Sequence, residues 1–384
     1  MPVRIYGDGE IDGLTTFEAN TFEVTNLKNT ANAGDPNIVL GDDGSVQMTG
    51  LQYPTAGPLS NRNLIINGAM AVAQRGTSSN LGAYQTVDRW DVQLSGGTFT
   101  QSQETLATTD LPFTQDGHRY AVKIANDTNT TADASFRNFV TTLEAQDIAK
   151  CGWDYTSASS FVTLSFWVKS SVSQEFYASL RTSDGTEQNY VFSFTPAAGT
   201  WTKVTKTIPG NANLQFDLNA EQGLSVNIAA WWGTTYTSPS VSTDTWQAWS
   251  GGLRFPDMTD TWANTLDSTF EITGVQLEVG SKATPFEHRP YGTELALCQR
   301  YYEKGDSRML AGRIDTGSTY FSNYWTHPFK ATKRANPTMV VNMTSGSTFG
   351  WGSTTEAINC TGYVYGSATG NTVIAGDFTA DAEL

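Results

Sequence analysis

Apolar and polar side chains alternate with a period of two along the middle of this chain, and nothing else constrains its folding as strongly. Val162, Leu164, Phe166 and Val168 alternate with Thr163, Ser165, Trp167 and Lys169. Successive strand residues point to opposite sides of a sheet, so this is the pattern of a half-buried strand. Phe176, Ala178 and Leu180 repeat it, Ser183-Asp184-Gly185-Thr186 turns the chain, and Tyr190, Phe192 and Phe194 return. Leu224, Val226, Ile228 and Ala230 obey the same rule, as do Val275, Leu277 and Val279. Strands separated by Gly, Asn and Asp turns predict an antiparallel sandwich, not βαβ units. One helix is expected among them: Thr141-x-x-Glu144 matches a capping box, and Leu143, Asp147 and Ile148 continue it to Cys151-Gly152.

Two flanking segments differ from this middle, residues 61–290. Residues 1–60 are poor in large apolar groups and rich in Asp, Asn, Thr and Gly. Their best element is a hairpin, Ile38-Val39-Leu40 and Ser45-Val46-Gln47-Met48 joined by Gly41-Asp42-Asp43-Gly44. One hairpin cannot bury enough surface to fold alone, so this segment is expected to depend on other chains. Tyr53 to Pro58 reads as a proline-stiffened linker. After the middle, residues 291–305 read as a connecting helix, with Thr293 as cap, Leu295, Cys298 and Tyr302 at helical spacing, and Gly305 as its end. Residues 306–384 return to alternation at Met339, Val341 and Met343, and at Phe378, Ala380, Ala382 and Leu384. Some 80 residues so rich in Gly and Ser make a marginal monomer, for which oligomerisation is the remedy. The expected fold is all-β: an N-terminal segment, a central sandwich and a small C-terminal sandwich.

Charge removes whole classes of function. Lys and Arg number 23 against 38 Asp and Glu, a net charge of −15. Nucleic acid is therefore not an expected partner, because phosphate binding needs concentrated positive charge. The imbalance is uneven, with eight acids and seven bases in 291–384 but eight and two in 1–60. No run approaches the roughly 18 apolar residues of a membrane helix, and the opening MPVRIYGDGEIDG lacks an export signal's apolar stretch. Neither membrane insertion nor Sec export is expected. Cys151, Cys298 and Cys360 are too scattered for a metal motif or disulfide framework and read as small buried hydrophobes. His118, His288 and His327 form no HExxH pattern.

Particular residues carry a resemblance. Ile272 to Gly280, Ala283 to Pro290 (ATPFEHRP) and Glu294 to Tyr302 (ELALCQRYY) resemble the end of a module found in tail-fibre proteins of tailed bacteriophages. Asn63 to Gly68, Gln74-Arg75-Gly76 and Asp88-Arg89-Trp90 are similar to its opening, and Val162 to Lys169 to its middle strand. The resemblance covers about 240 residues, 61 to 304. It implies a jelly roll like that of carbohydrate-binding modules, a virion-attaching N-terminal segment, a C-terminal trimerising tip and a homotrimer. Synthesis in the host cytoplasm, release by lysis and a place in the virion tail follow from it.

Trp231, Trp232, Trp246, Trp249 and Trp262 fall within 32 residues and are the candidate glycan-binding residues, since sugar C–H faces lie well on indole rings. Core packing is the competing role, and of Trp231 and Trp232 one must face inward. Paired carboxylates for glycoside cleavage could be sought in Asp257 with Asp260 or Asp184 with Glu187, but both pairs sit in expected turns, and no catalytic residue is assigned. Many sugar-binding jelly rolls hold a structural calcium through an acid early in the last strand. Thr273 stands at that position, although Glu271, Asp88 and Asp91 could supply oxygens, and no cofactor or metal is assigned. Arg289 and Glu287 read as an ion pair, with His288 paired to a neighbour.

The expected function is host attachment by a tail fibre, through multivalent binding of surface polysaccharide or lipopolysaccharide, with other tail proteins held by the N-terminal segment. A structural adaptor carrying another receptor-binding protein is the alternative, and a polysaccharide depolymerase a third.

Overall fold

The segments in which apolar and polar residues alternate are strands, and all their pairings are antiparallel. A computed structural model describes residues 26–27, 38–40, 46–48, 60–314, 321–343, 348–364 and 370–384. The chain divides into two units, Met1–Gln52 and Tyr53–Leu384. In the first, β1 (Asn26–Leu27), β2 (Ile38–Leu40) and β3 (Val46–Met48) form one sheet. Ile38 pairs with Met48 and Leu40 with Val46, as the hairpin requires. Its turn and the stretch 53–58 lie outside the described residues.

The second unit opens with β4 (Ser78–Ser79), β5 (Asp91–Ser95) and β6 (Thr100–Thr105), then α1 (Leu111–Asp116), β7 (Tyr120–Asn126), β8 (Phe136–Glu144) and α2 (Ala145–Ala149). It continues through β9 (Phe161–Ser170), β10 (Phe176–Thr182), β11 (Gln188–Phe194), β12 (Thr202–Pro209), β13 (Gln222–Trp232), β14 (Trp246–Ala248) and β15 (Ser268–Val279). The strands make two six-stranded sheets, ordered β14-β11-β10-β13-β8-β5 and β12-β9-β15-β7-β6-β4. The chain crosses repeatedly from one sheet to the other, so partners are often distant in sequence: β8 pairs with β13, and β9 with β15. This is the winding of a jelly-roll sandwich. The expected β10–β11 hairpin has Phe176 opposite Phe194 and Leu180 opposite Tyr190.

The inward rows of both sheets interdigitate. Phe139, Phe166, Phe176, Phe192, Trp262 and Phe270 are buried there with the aliphatic residues of β9, β13 and β15. Each such side chain contributes about 1.5–3 kcal/mol on leaving water. On β9 the intervening Thr163, Ser165 and Trp167 are also buried. The strand is central in its sheet, and Trp167 packs with Leu106, Ala121 and Trp201 on the outer face, so it is covered on both sides, not half-buried.

Two helix expectations are corrected. Thr141 lies in β8 opposite Val226, and Glu144 opposite Gln222. Ladder bonds to β13 outweigh the local capping pattern, and α2 starts only at Ala145, with Glu144 at the cap position but its carboxylate turned to Gln146, Arg300 and Tyr301 instead of the helix N–H groups. The connecting helix α3 runs Tyr291–Gln299 behind Pro290 and stops short of Gly305. Gly305 belongs to β16 (Tyr302–Ile314); a Cβ there would sit 2.9 Å from the Phe378 ring, so the ring requires the glycine.

Beyond β16 come β17 (Phe321–Pro328), β18 (Thr338–Met343), β19 (Thr348–Ser353), β20 (Ala357–Val364) and β21 (Gly370–Asp381), forming sheets ordered β16-β21-β18 and β17-β20-β19. Met339, Phe378 and Ala380 of one share a small core with Ile358 of the other and with Phe329. The stretch 306–384 lies in the same unit as the large sandwich. There the Arg89 guanidinium stacks 3.5 Å over Tyr301 and also pairs with Glu383. Among the described residues no helix is long and apolar enough to cross a membrane.

Candidate functional site

Sheet alternation that sends Ala178, Leu180, Val226 and Ile228 into the core sends Ser179, Arg181, Ser225 and Asn227 to the opposite face. Register sets these polar residues in rows across the sheet: Thr142, Ser225, Arg181, Asn189 and Gln247 in one, and Asp91, Val140, Asn227, Ser179 and Val191 in the next. A shallow groove lies on this face, lined by Ser179, Arg181, Asn189, Asn227, Trp232, Trp249, Arg254 and Phe255.

Asn189 and Asn227 line the groove, and Asn138 lies beside Asn227 on the same face. Asn138 Nδ2 donates to Asn227 Oδ1 at 3.2 Å, and Asn227 Nδ2 to Ser225 Oγ at 3.3 Å. Asn189 Nδ2 donates to the Arg254 carbonyl at 2.8 Å. The Oδ1 atoms of Asn138 and Asn189 are buried and accept nothing from the protein, and the Trp232 Nε1 donates to nothing. Such groups cost about 1–3 kcal/mol each when left unsatisfied. Along one side Arg181 lies 3.6 Å over the Trp249 ring and gives Glu187 two hydrogen bonds, at 3.1 and 2.7 Å. Arg254 lies 4.7 Å over Trp232, and burial lowers its pKa, with the Arg181 charge assisting.

The five candidate tryptophans separate. Trp231 and Trp262 belong to the main core, 3% and 0% exposed, and Trp246 lines it with Nε1 donating to the Pro209 carbonyl at 2.7 Å. Trp232 is on the outer face but 2% exposed, stacked on Phe136 at 4.5 Å and covered by Tyr236 and Phe255. Those four rings are closed in by protein neighbours, although Trp232 also reaches the groove lining. Trp249 is half-buried at the groove.

The two adjacent tryptophans do face oppositely, but a bulge decides which faces in. Ala229 is opposite Asn138 and Trp231 opposite Arg137, leaving Ala230 extra. The inserted residue resets the alternation, so Ala230 and Trp231 both enter the core.

The groove amides escaped the sequence reading, which sought rings and acids. The signal that could have found them is the polar half of the alternation: Ser179 between Ala178 and Leu180, and Ser225 and Asn227 among Leu224, Val226 and Ile228.

The acids are held by neighbours. Asp184 accepts from the Asp217 N–H at 3.0 Å, and Asp257 from the Thr237 hydroxyl at 2.9 Å. Among the weighed calcium ligands, Glu271 pairs with Lys169 at 3.3 Å and Asp91 accepts from Gln93 at 2.9 Å. Asp88 accepts the Gln74 N–H at 2.9 Å, and burial pushes its pKa up to about 6. Among the described residues no group of three or more metal-ligating side chains converges. Cys151 and Cys298 are free thiols; Cys298 is fully buried, which pushes its pKa well up, while the Cys360 side chain lies outside the described residues. Arg289 lies 3.9 Å from Glu287 and 3.3 Å from Glu294.

No protein-family model matches this chain, and no curated protein matches it. Solved structures similar to it include the enzymatically active domain of bacteriophage CBA120 tailspike protein 4, 12% identical, covering 56% of this chain and 21% of that one, with a TM-score of 0.31. The chain thus spans about a fifth of that tailspike domain. A family 11 carbohydrate-binding module of a Clostridium thermocellum cellulosomal cellulase is 14% identical, covering 56% and 98%, TM-score 0.26. A cyclase from Fischerella sp. is 8% identical, covering 60% and 98%, TM-score 0.32.

Proposed function

We propose that this chain is an attachment protein of the bacteriophage tail-fibre type, and that the groove on the β14-β11-β10-β13-β8-β5 sheet binds glycans of the host surface. The observation that carries the glycan reading is the pair of buried, unsatisfied amide oxygens, Asn138 Oδ1 and Asn189 Oδ1, in a face edged by Trp249 and Arg181. Sugar hydroxyls donate to such acceptors, and an indole ring takes a C–H face. The tail-fibre reading rests on the sequence resemblance over 61–304. In this reading the chain is a homotrimer, residues 1–60 hold other tail proteins, and three weak sites on one particle act together through high effective concentration. No catalysis is assigned.

Affinity electrophoresis of the purified protein in gels containing host polysaccharide or lipopolysaccharide tests the glycan reading, with labelling of intact host cells alongside. Retardation that disappears in Trp249→Ala is expected. A protein that neither slows in any host glycan nor labels cells would instead be a structural adaptor. Release of new reducing ends would make it a depolymerase.

A further inference from the structure

A second recess, of about 150 Å³, lies beside β7 of the other sheet, between the end of α1, the loop leaving β15 and the start of α3. That is smaller than the roughly 300–1,000 Å³ of drug-sized ligand sites and suits a single ring. Its polar wall is His118, which is 1% exposed with both ring nitrogens lacking a hydrogen-bond partner. The imidazole sits against bare backbone: Gly274 has φ +62°, and a Cβ there would fall 2.5 Å from His118 Nε2. Burial and the neighbouring His288 lower the His118 pKa to about 4. The ring is therefore neutral at pH 7, with one N–H donor and one acceptor nitrogen.

The other walls are aromatic. Phe286 meets His118 at 4.5 Å and His288 at 4.9 Å between ring centroids, both edge-on. His288 Nε2 donates to the Asp116 carbonyl at 2.5 Å, which leaves Nδ1 as the nitrogen open to a ligand. Tyr291, 61% exposed, lines the same recess. The two guanidiniums there are engaged by protein oxygens, Arg289 by the Ile65 carbonyl and Glu294, and Arg119 by the Gly117 and His118 carbonyls. A ligand for this lining brings neutral hydroxyls that both give and accept hydrogen bonds, and an apolar face for the rings.

We propose that this recess is a ligand site separate from the groove, holding one neutral pyranose ring whose hydroxyls bond His118 and His288 while a C–H face lies on Phe286 and Tyr291. It would let a single chain grip a polysaccharide at two places.

The test uses the full chain with ¹⁵N-labelled histidine and follows the imidazole nitrogen signals during titration with methyl glucoside, methyl galactoside and N-acetylglucosamine. Concentrations reach about 10 mM, which nearly fills a site with Kd of about 1 mM. At least one sugar is expected to shift the His118 and His288 signals. Tyr291→Ala should weaken that response about tenfold, and His118→Phe should weaken the shift at His288 similarly, the scale of one lost hydrogen bond or contact. Trp249→Ala, in the groove, should leave it unchanged. Absence of any shift overturns the proposal, as does a shift that Trp249→Ala abolishes. Because Tyr291 is exposed, its variant reports even if His118→Phe fails to fold, and loss of groove binding alone would not touch this result.

Discussion

Trp231 and Trp232 are adjacent in the chain and lie in different cores, one between the two sheets and the other in the aromatic cluster outside them. The bulge at Ala230 places them so. Truncating them should therefore cost differently. Trp231→Ala opens a cavity in the main core and should lose about 3–5 kcal/mol. Trp232→Ala should cost less, because its neighbours Tyr236 and Phe255 come from a covering loop that can settle onto the sheet. Urea denaturation of both variants makes the comparison; equal costs would mean that the outer cluster is as tightly packed as the inner core.

Trp249 stands at the groove and outside both cores. Trp249→Ala should change stability by about 1 kcal/mol, mainly through the lost Arg181 stacking. Glycan retardation in gels should fall far more than that small change suggests. A variant that is strongly destabilised would place this ring among the structural residues instead.

Protonation of His118 should make stability depend on pH. Its folded pKa of about 4 lies below its ordinary value of 6.5, so the unfolded chain binds the extra proton first. Its contribution is complete above about pH 6.5 and is lost as pH falls to about 4, with a span of up to about 3 kcal/mol. Asp116 opposes the shift, and Lys203 and His288 add to it; Arg119, Arg289 and Glu294 line the same recess. Denaturation midpoints from pH 7 to pH 4 should fall more steeply for the natural protein than for His118→Phe. Parallel curves would show that His118 does not titrate this way.

Lys333 and Glu303 form a fully buried ion pair, 2.7 Å apart and both 0% exposed. Glu303 also accepts the Lys330 N–H at 3.1 Å, and Lys333 donates to the Gln299 carbonyl. Glu303→Leu alone leaves an uncompensated ammonium and should cost about 3–5 kcal/mol. Adding Lys333→Met should recover much of that loss. Thermal melts of the single and double variants measure the coupling, and additive losses would count against it.

The strands were legible because burial in a sheet demands period two, and Val162 to Lys169, Phe176 to Leu180 and Leu224 to Ala230 obey it. The β2–β3 and β10–β11 hairpins were legible too, since each joins two apolar-rich runs across a short stretch of Gly, Asp and Ser or Thr. Residue order alone dictates the all-β class, the antiparallel hairpins and one inward member of the Trp231–Trp232 pair. Long-range packing sets the remainder. Pairing with β13 turned the capping pattern of Thr141 to Glu144 into strand, because ladder bonds along a whole strand outweigh one local cap. The bulge at Ala230 chose which tryptophan faces the core. The covering of an outer face, which buries Trp232 but leaves Trp249 at a groove, depends on loops that pack only after the sheet exists. Asn138, Asn189 and Asn227 come to share one face only when β8, β11 and β13 stand in one sheet, since cross-strand register brings together residues far apart in sequence.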